Sequence, residues 1–253
     1  LEYKEAMIKI IKYTIYILLT ILMGFAVYLT FTYEAKDKLG IPNSSTTNNE
    51  TLGNEAFNII GNQEMLILVN KQNGLSPNYK PEDLSKVNEY APGRDESTRY
   101  MRKEASDSIN LMLADAKTLG LDIVITTAFR NYNLQKIIFE NNVVKSGSIE
   151  EANKTSAKPG ESEHQTGLAA DLSSSKIGYE LNTSFGELDE GKWISQNAWK
   201  YGFVLRYQED KVEITGYNYE PWHIRYVGKE FAKYIYENNL TLEEFISERE
   251  QDK

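Results

Sequence analysis

Residues 13–33, "YTIYILLTILMGFAVYLTFTY", carry no charge over 21 positions. A helix needs roughly 20 apolar residues to cross a bilayer, and a water-soluble domain cannot leave such a stretch on its surface. The run therefore divides the chain. Tyr13, Tyr16, Tyr28 and Tyr33 sit towards its ends, where amphipathic rings favour the membrane interface. A cleavable signal fits less well, because no small-x-small pair stands just before Glu34 and the apolar run is long for one. The expectation is a retained single-pass anchor in the cell membrane. Lys4, Lys9 and Lys12 precede it, while Lys36 and Lys38 follow. The positive-inside tendency then favours a short cytoplasmic N-terminus, 1–12, and an extracytoplasmic remainder. Residues 34–61 include "KLGIPNSSTTNNETLGNEA", which is polar and without apolar periodicity, and read as a flexible tether. A folded domain is left for 62–253.

That domain has the material for a core, since 41% of the chain is hydrophobic and 11% aromatic. The net charge of −9 argues against nucleic acid as a partner, because phosphate binding needs a basic surface. There is no cysteine, so disulfides and thiolate ligands are excluded. Any transition-metal site must use His, Asp, Glu or water.

Within the domain, "MLILVN" (65–70) reads as a buried strand and "PNYKPEDL" as a loop. From Glu96 to Leu119 the residues Met101, Ala105, Ile109, Met112, Leu113 and Ala116 recur at helical spacing, with Gly120 as the stop. "LDIVITTAF" is a core strand and "NYNLQKIIFENNVVKSG" a second helix. "SAKPGESEHQTG" is a loop leading into a short strand, "LAADLS". "ELDEGKWISQNAWKYG" is a helix ending at Gly202, "FVLRY" and "WHIRYV" are β-rich, and two helices close the chain. Helices and strands mix without a strict βαβ rhythm, which predicts an α+β fold.

Both histidines of the chain, His164 and His223, fall in short polar segments marked by Gly or Pro. In "ESEHQTGLAADLS" (161–173), His164 and Asp171 lie seven residues apart on a loop and the strand that follows. Gly167 lets the chain turn, and Ala169 keeps bulk low between them. A carboxylate inside a strand entering a core costs several kcal/mol unless it is paired or bound to a cation. Read alone, this segment is better explained by a surface histidine and an N-capping or hydrogen-bonded aspartate than by a metal site. In "YEPWHIRYV" (219–227), Pro221 bends the entry to a strand and Trp222 either shields a site or fills the core. Together the two segments supply two imidazoles, one carboxylate ligand and one spare carboxylate. A catalytic zinc site needs three protein ligands and an open position, and the spare carboxylate can serve as a base. The H-E-x-x-H pattern of helical zinc proteases is absent.

"SEHQTGLAAD" (162–171) and "ITGYNYEPWHIRYVG" (214–228) closely resemble the VanY-type D-alanyl-D-alanine carboxypeptidases, zinc peptidases related to the cell-wall L,D-carboxypeptidases. The pattern S-x-H-x-x-G-x-A-x-D is complete. "TTAFRNYNLQ" (126–135) is similar to the family's S-x-x-R-x-x-x-x-Q segment, with Thr126 or Thr127 where Ser is commoner. The resemblance runs from about Gln63 to Phe245. It implies a small antiparallel sheet flanked by helices and zinc held by His164, Asp171 and His223. It also implies Glu220 as the catalytic base, and Arg130, Gln135 and Ser162 around the end of the substrate. Taken alone, Arg130 reads as a surface residue, Ser162 as a loop cap and Gln135 as part of a solvated helix face. Tyr217 and Tyr219 read as packing residues that can also contact the peptide. The implied function is removal of terminal D-Ala from peptidoglycan stem peptides, with relevance to antibiotic resistance or wall trimming. An L,D-carboxypeptidase acting on tetrapeptide stems and a non-catalytic wall-binding protein are the alternatives. Oligomeric state is not legible.

Overall fold

The apolar residues of 103–118 recur three and four apart, so a helix buries them along one stripe. In the computed structural model this is α1 (Lys103–Thr118), with Ala105, Ile109, Met112, Leu113 and Ala116 all buried. The described residues are 63–251. The expected N-terminus, anchor and tether lie outside them. Among the described residues, no helix is long and apolar enough to cross a membrane.

Helix α1 packs on a four-stranded antiparallel sheet. Its strands are β3 (Val124–Thr127), β4 (Ala169–Ser173), β5 (Phe203–Tyr207) and β6 (Glu220–Tyr226), in the spatial order β3-β4-β6-β5. A separate two-stranded ribbon pairs β1 (Leu84–Lys86) with β2 (Tyr100–Arg102). Helices α2 (Tyr132–Ser146), α3 (Ile149–Ala152), α4 (Asp189–Asn197), α5 (Val212–Thr215), α6 (Lys229–Glu237) and α7 (Leu242–Gln251) complete the described part. The α+β class expected from the element pattern is the one observed.

Side chains alternate across a strand, so one residue step changes the face. Ala170 pairs with Ile224 in register, and both belong to the core beneath α1. The next pair, Asp171 and His223, therefore faces the other way. On its far side Asp171 is in register with Thr127 of β3. Three strands thus bring a polar set together above an apolar layer.

Two expectations about elements need correction. Residues 65–70 form no strand. A 3-10 turn spans Gln63–Leu66, and the carbonyls of Met65 and Ile67 accept hydrogen bonds from the Arg225 guanidinium at 3.0 and 2.8 Å. A buried cation thus uses backbone acceptors that a strand ladder would have used. The helix predicted from Glu96 starts at Lys103 instead. Met101 is buried as expected, but it stands on β2, where the pairing with β1 takes precedence over helical spacing.

Candidate metal centre

Each polar residue of the site is placed by a local device. Asn131 caps α2, its side chain accepting from the Leu134 amide. This fixes the first turn so that Gln135 reaches back to Arg130. Gly167 ends the 3-10 turn Glu163–Thr166 with φ +70° and redirects the chain into β4. A Cβ there would meet the side chains of Leu84 at 3.0 Å and Arg102 at 3.2 Å, so the positive φ favours glycine and the space leaves little room for anything larger. The exit of β3 docks on that turn, with the Arg130 amide donating to the His164 carbonyl at 3.2 Å.

The result is a buried cluster. His164 Nε2 lies 3.2 Å from Asp171 Oδ2, and His223 Nδ1 lies 2.9 Å from Asp171 Oδ1. The two imidazoles stand edge to face with centroids 4.9 Å apart. The remaining ring nitrogens are also engaged. His164 Nδ1 lies 2.6 Å from the Ala128 carbonyl, and His223 Nε2 lies 3.3 Å from Glu163 Oε2. A metal-bound histidine typically donates its other N–H to a carbonyl or carboxylate, which fixes the tautomer. Here those partners leave His164 Nε2 and His223 Nδ1 turned to the shared carboxylate. One ligand atom from each of His164, Asp171 and His223 lies within 4.8 Å of the others. Two imidazole nitrogens and a carboxylate oxygen are the chemistry of a catalytic zinc site, so the donor set fits zinc.

The electrostatics are those of groups packed out of water. Burial, reinforced by the Arg130 guanidinium, pushes His164 down to about 4. Burial opposes charge on His223, yet its contacts with Asp171 and Glu163 outweigh this and raise it to about 9. Burial alone would raise Asp171, but the two imidazoles hold it well below the usual carboxylate range. Glu220 is pushed up to about 8 by burial, against the influence of His223 and with that of Asp171.

The cluster opens into a cleft of about 610 Å³ whose lining includes Arg130, Ser162, Glu220 and Trp222. Glu220 begins β6 opposite Tyr207. Trp222 is half-buried and does both things expected of it, lining the cleft and packing on the core. Ser162 lines the cleft and makes no capping bond to the turn that follows it. Gln135 is buried behind Arg130, not on a solvated helix face. It accepts from Arg130 Nε at 3.0 Å and donates to the Ala157 carbonyl at 2.7 Å. Arg130 is largely buried, and its Nη1 lies 3.4 Å from Asp171 Oδ2.

Two residues of the site were not expected in it. Glu163 is fully buried against His223. Tyr207 packs its ring 4.9 Å from that of His223 and also lines the cleft. Tyr217, read as a packing residue within reach of the peptide, does line the cleft, and its buried hydroxyl has no hydrogen-bond partner among the described residues. The available signal for Glu163 was indirect. Arg206 in "FVLRY" and Arg225 in "WHIRYV" sit inside apolar runs, and buried cations require a partner.

A buried His-Asp-His set beside a buried glutamate thus opens into a cleft on an antiparallel sheet, a donor set that could hold a metal ion. The model of VanY, the D-alanyl-D-alanine carboxypeptidases, matches residues 98–229. A D-alanyl-D-alanine carboxypeptidase of Enterococcus faecium is 34% identical over 230 residues, 87% of this chain and 70% of its own. The solved structure of the LdcB LD-carboxypeptidase is 48% identical with a TM-score of 0.69, over 74% of this chain and 88% of that one. A mutant of the vancomycin-resistance D,D-pentapeptidase VanY, solved in complex with Zn(II), is 31% identical with a TM-score of 0.61, over 72% of this chain and 99% of that one. The chain belongs to the VanY family of D-alanyl-D-alanine carboxypeptidases.

Proposed function

We propose that this chain is a zinc carboxypeptidase that releases the terminal D-alanine from D-alanyl-D-alanine ends of peptidoglycan stem peptides. The observation that carries the reading is the convergence of His164, Asp171 and His223 beside Glu220 in one cleft. Those three residues would hold the ion. Zinc, when bound, supplies Lewis acidity and makes a water acidic enough to ionise near neutral pH. Glu220 takes the proton of the attacking water and returns one to the leaving amine. Its burial keeps it basic enough for that exchange. Arg130 lines the cleft and receives the substrate's terminal carboxylate: Gln135 holds Nε and Asp171 Oδ2 lies 3.4 Å from Nη1, which leaves the Nη2 end of the guanidinium for the substrate. Ser162 and Trp222 line the walls against which the last residues of the peptide rest.

The 48% identity to the LdcB LD-carboxypeptidase favours a second substrate, the tetrapeptide stem that ends in a single D-Ala after an L-centre. The same groups would act, and the difference lies in the pocket for the preceding residue. Paired assays of pentapeptide and tetrapeptide stems decide between them. Release of D-Ala from the pentapeptide at the higher kcat/KM supports the first reading, and preference for the tetrapeptide supports the second. Release from neither would refute both and leave a wall-binding role. We place the domain outside the cytoplasmic membrane, anchored by 13–33 and spaced from it by 34–61, because the substrate is there and the uncharged run is long enough to span.

A further inference from the structure

Glu163 takes no part in the chemistry above, yet it is among the most enclosed charges of the described residues. Its side chain is 0% exposed. Two guanidinium groups converge on one of its oxygens, Arg206 Nε and Arg225 Nη1 each donating to Oε1 at 2.8 Å. This leaves Oε2 for His223 Nε2 at 3.3 Å. Both arginines are fixed in turn. Arg225 donates to the carbonyls of Met65 and Ile67, and Arg206 makes a two-pronged contact with Glu243 of α7 at 2.7 and 2.9 Å. Glu243 also accepts from Asn70 at 3.1 Å. The four charges sum to zero, which buried ions require.

The geometry is that of an oriented acceptor. With Oε1 occupied twice, the carboxylate cannot turn without breaking two charge-assisted bonds. Its Oε2 therefore fixes where the His223 N–H must lie, and with it the aim of Nδ1 at Asp171. We infer that Glu163 is the positioning residue for the metal ligand His223, and that α7 takes part in metal binding through the link Glu243–Arg206–Glu163. Helix α7 lies beyond residues 98–229, where the family model matches. The inference rests on the proposed metal site and adds to it an element outside the matched region.

The test is zinc affinity of the full chain by competition with a chromogenic chelator, for wild type, Glu163→Gln, Glu243→Gln and the double variant. Nitrogen NMR of the histidine rings accompanies it, and with two histidines in the chain the assignment is direct. Loss of an outer partner of a metal-bound histidine weakens affinity about tenfold to a hundredfold. That loss is expected for Glu163→Gln, with a displaced His223 signal and His164 unchanged. Glu243→Gln should weaken affinity by a smaller factor, about threefold or more, and the double variant should be no worse than Glu163→Gln, because both act through one link. A merely structural role would lower the unfolding temperature and leave the affinity of the folded protein at the wild-type value. That outcome would overturn the inference, as would multiplying losses in the double variant. If Glu163→Gln fails to fold, Glu243→Gln decides, since its carboxylate lies nearer the surface and unchanged affinity there also overturns the inference. A wild type without zinc affinity would overturn the metal site itself, a result distinct from equal affinities in all forms.

Discussion

Asp171 and His223 are register partners on adjacent antiparallel strands, and Asp171 Oδ1 stands 2.9 Å from His223 Nδ1. Backbone pairing thus delivers two metal-ligand types to one point, although 52 residues separate them. Without the ion, a proton holds the pair together, which is why His223 is raised to about 9.

Zinc must displace that proton. His223 binds it below about pH 9, whereas His164, lowered to about 4, is already neutral. Between about pH 5.5 and about pH 7 the zinc affinity should therefore fall at least about tenfold for each unit of pH lost, since His223 gives up one proton per ion and Glu220, raised to about 8, loses its own as the cation is placed beside it. Calorimetry in buffers of different ionisation enthalpy counts those protons directly. An affinity independent of pH in this range would contradict the assignment of His223 as a ligand.

Glu220→Gln should keep zinc and lose turnover by about a hundredfold or more, the range for loss of a general base. The amide matches the carboxylate in size and also fits the buried start of β6, so the fold should be retained. Loss of zinc together with activity would make Glu220 a ligand or a structural residue instead.

Much of this arrangement was legible in the sequence, and what was not has physical causes. Gly167 and the short strand read in "LAADLS" already placed Asp171 on a strand next to a turn, and the structure has both. The caps of α2, Asn131 and Gly147, fell where the sequence put its ends. The beginning of α1 and the course of 65–70 were misread because both are decided at long range. Met101 is claimed by β1, and the carbonyls at 65 and 67 by Arg225. Glu163 escaped notice because a glutamate next to a histidine on a polar loop resembles a solvated residue. Only the fold reveals that two arginines from β5 and β6 enclose it.

Arg130 should make the enzyme an exopeptidase. Two charge-assisted bonds to a terminal carboxylate are worth about 3 kcal/mol, or about a hundredfold in rate. Peptide amides should accordingly be cleaved at about one hundredth of the kcat/KM of the free acids. Arg130→Lys should narrow the gap, since Lys keeps the charge without the planar fork. Equal kcat/KM on acid and amide would refute the role of Arg130.

The uncharged run 13–33 should stay attached to the domain and hold it outside. Protease added to intact protoplasts is expected to remove the domain. A protected domain, or a mature N-terminus mapped near Glu34, would contradict the anchor.

The most direct measurement is the metal content of the purified chain, loaded with zinc, washed and analysed by elemental spectrometry. One zinc per chain is expected, with most of it lost in His164→Ala and in His223→Ala, whose rings offer two of the three candidate ligand atoms. A wild-type protein that retains no zinc would contradict the proposed metal site.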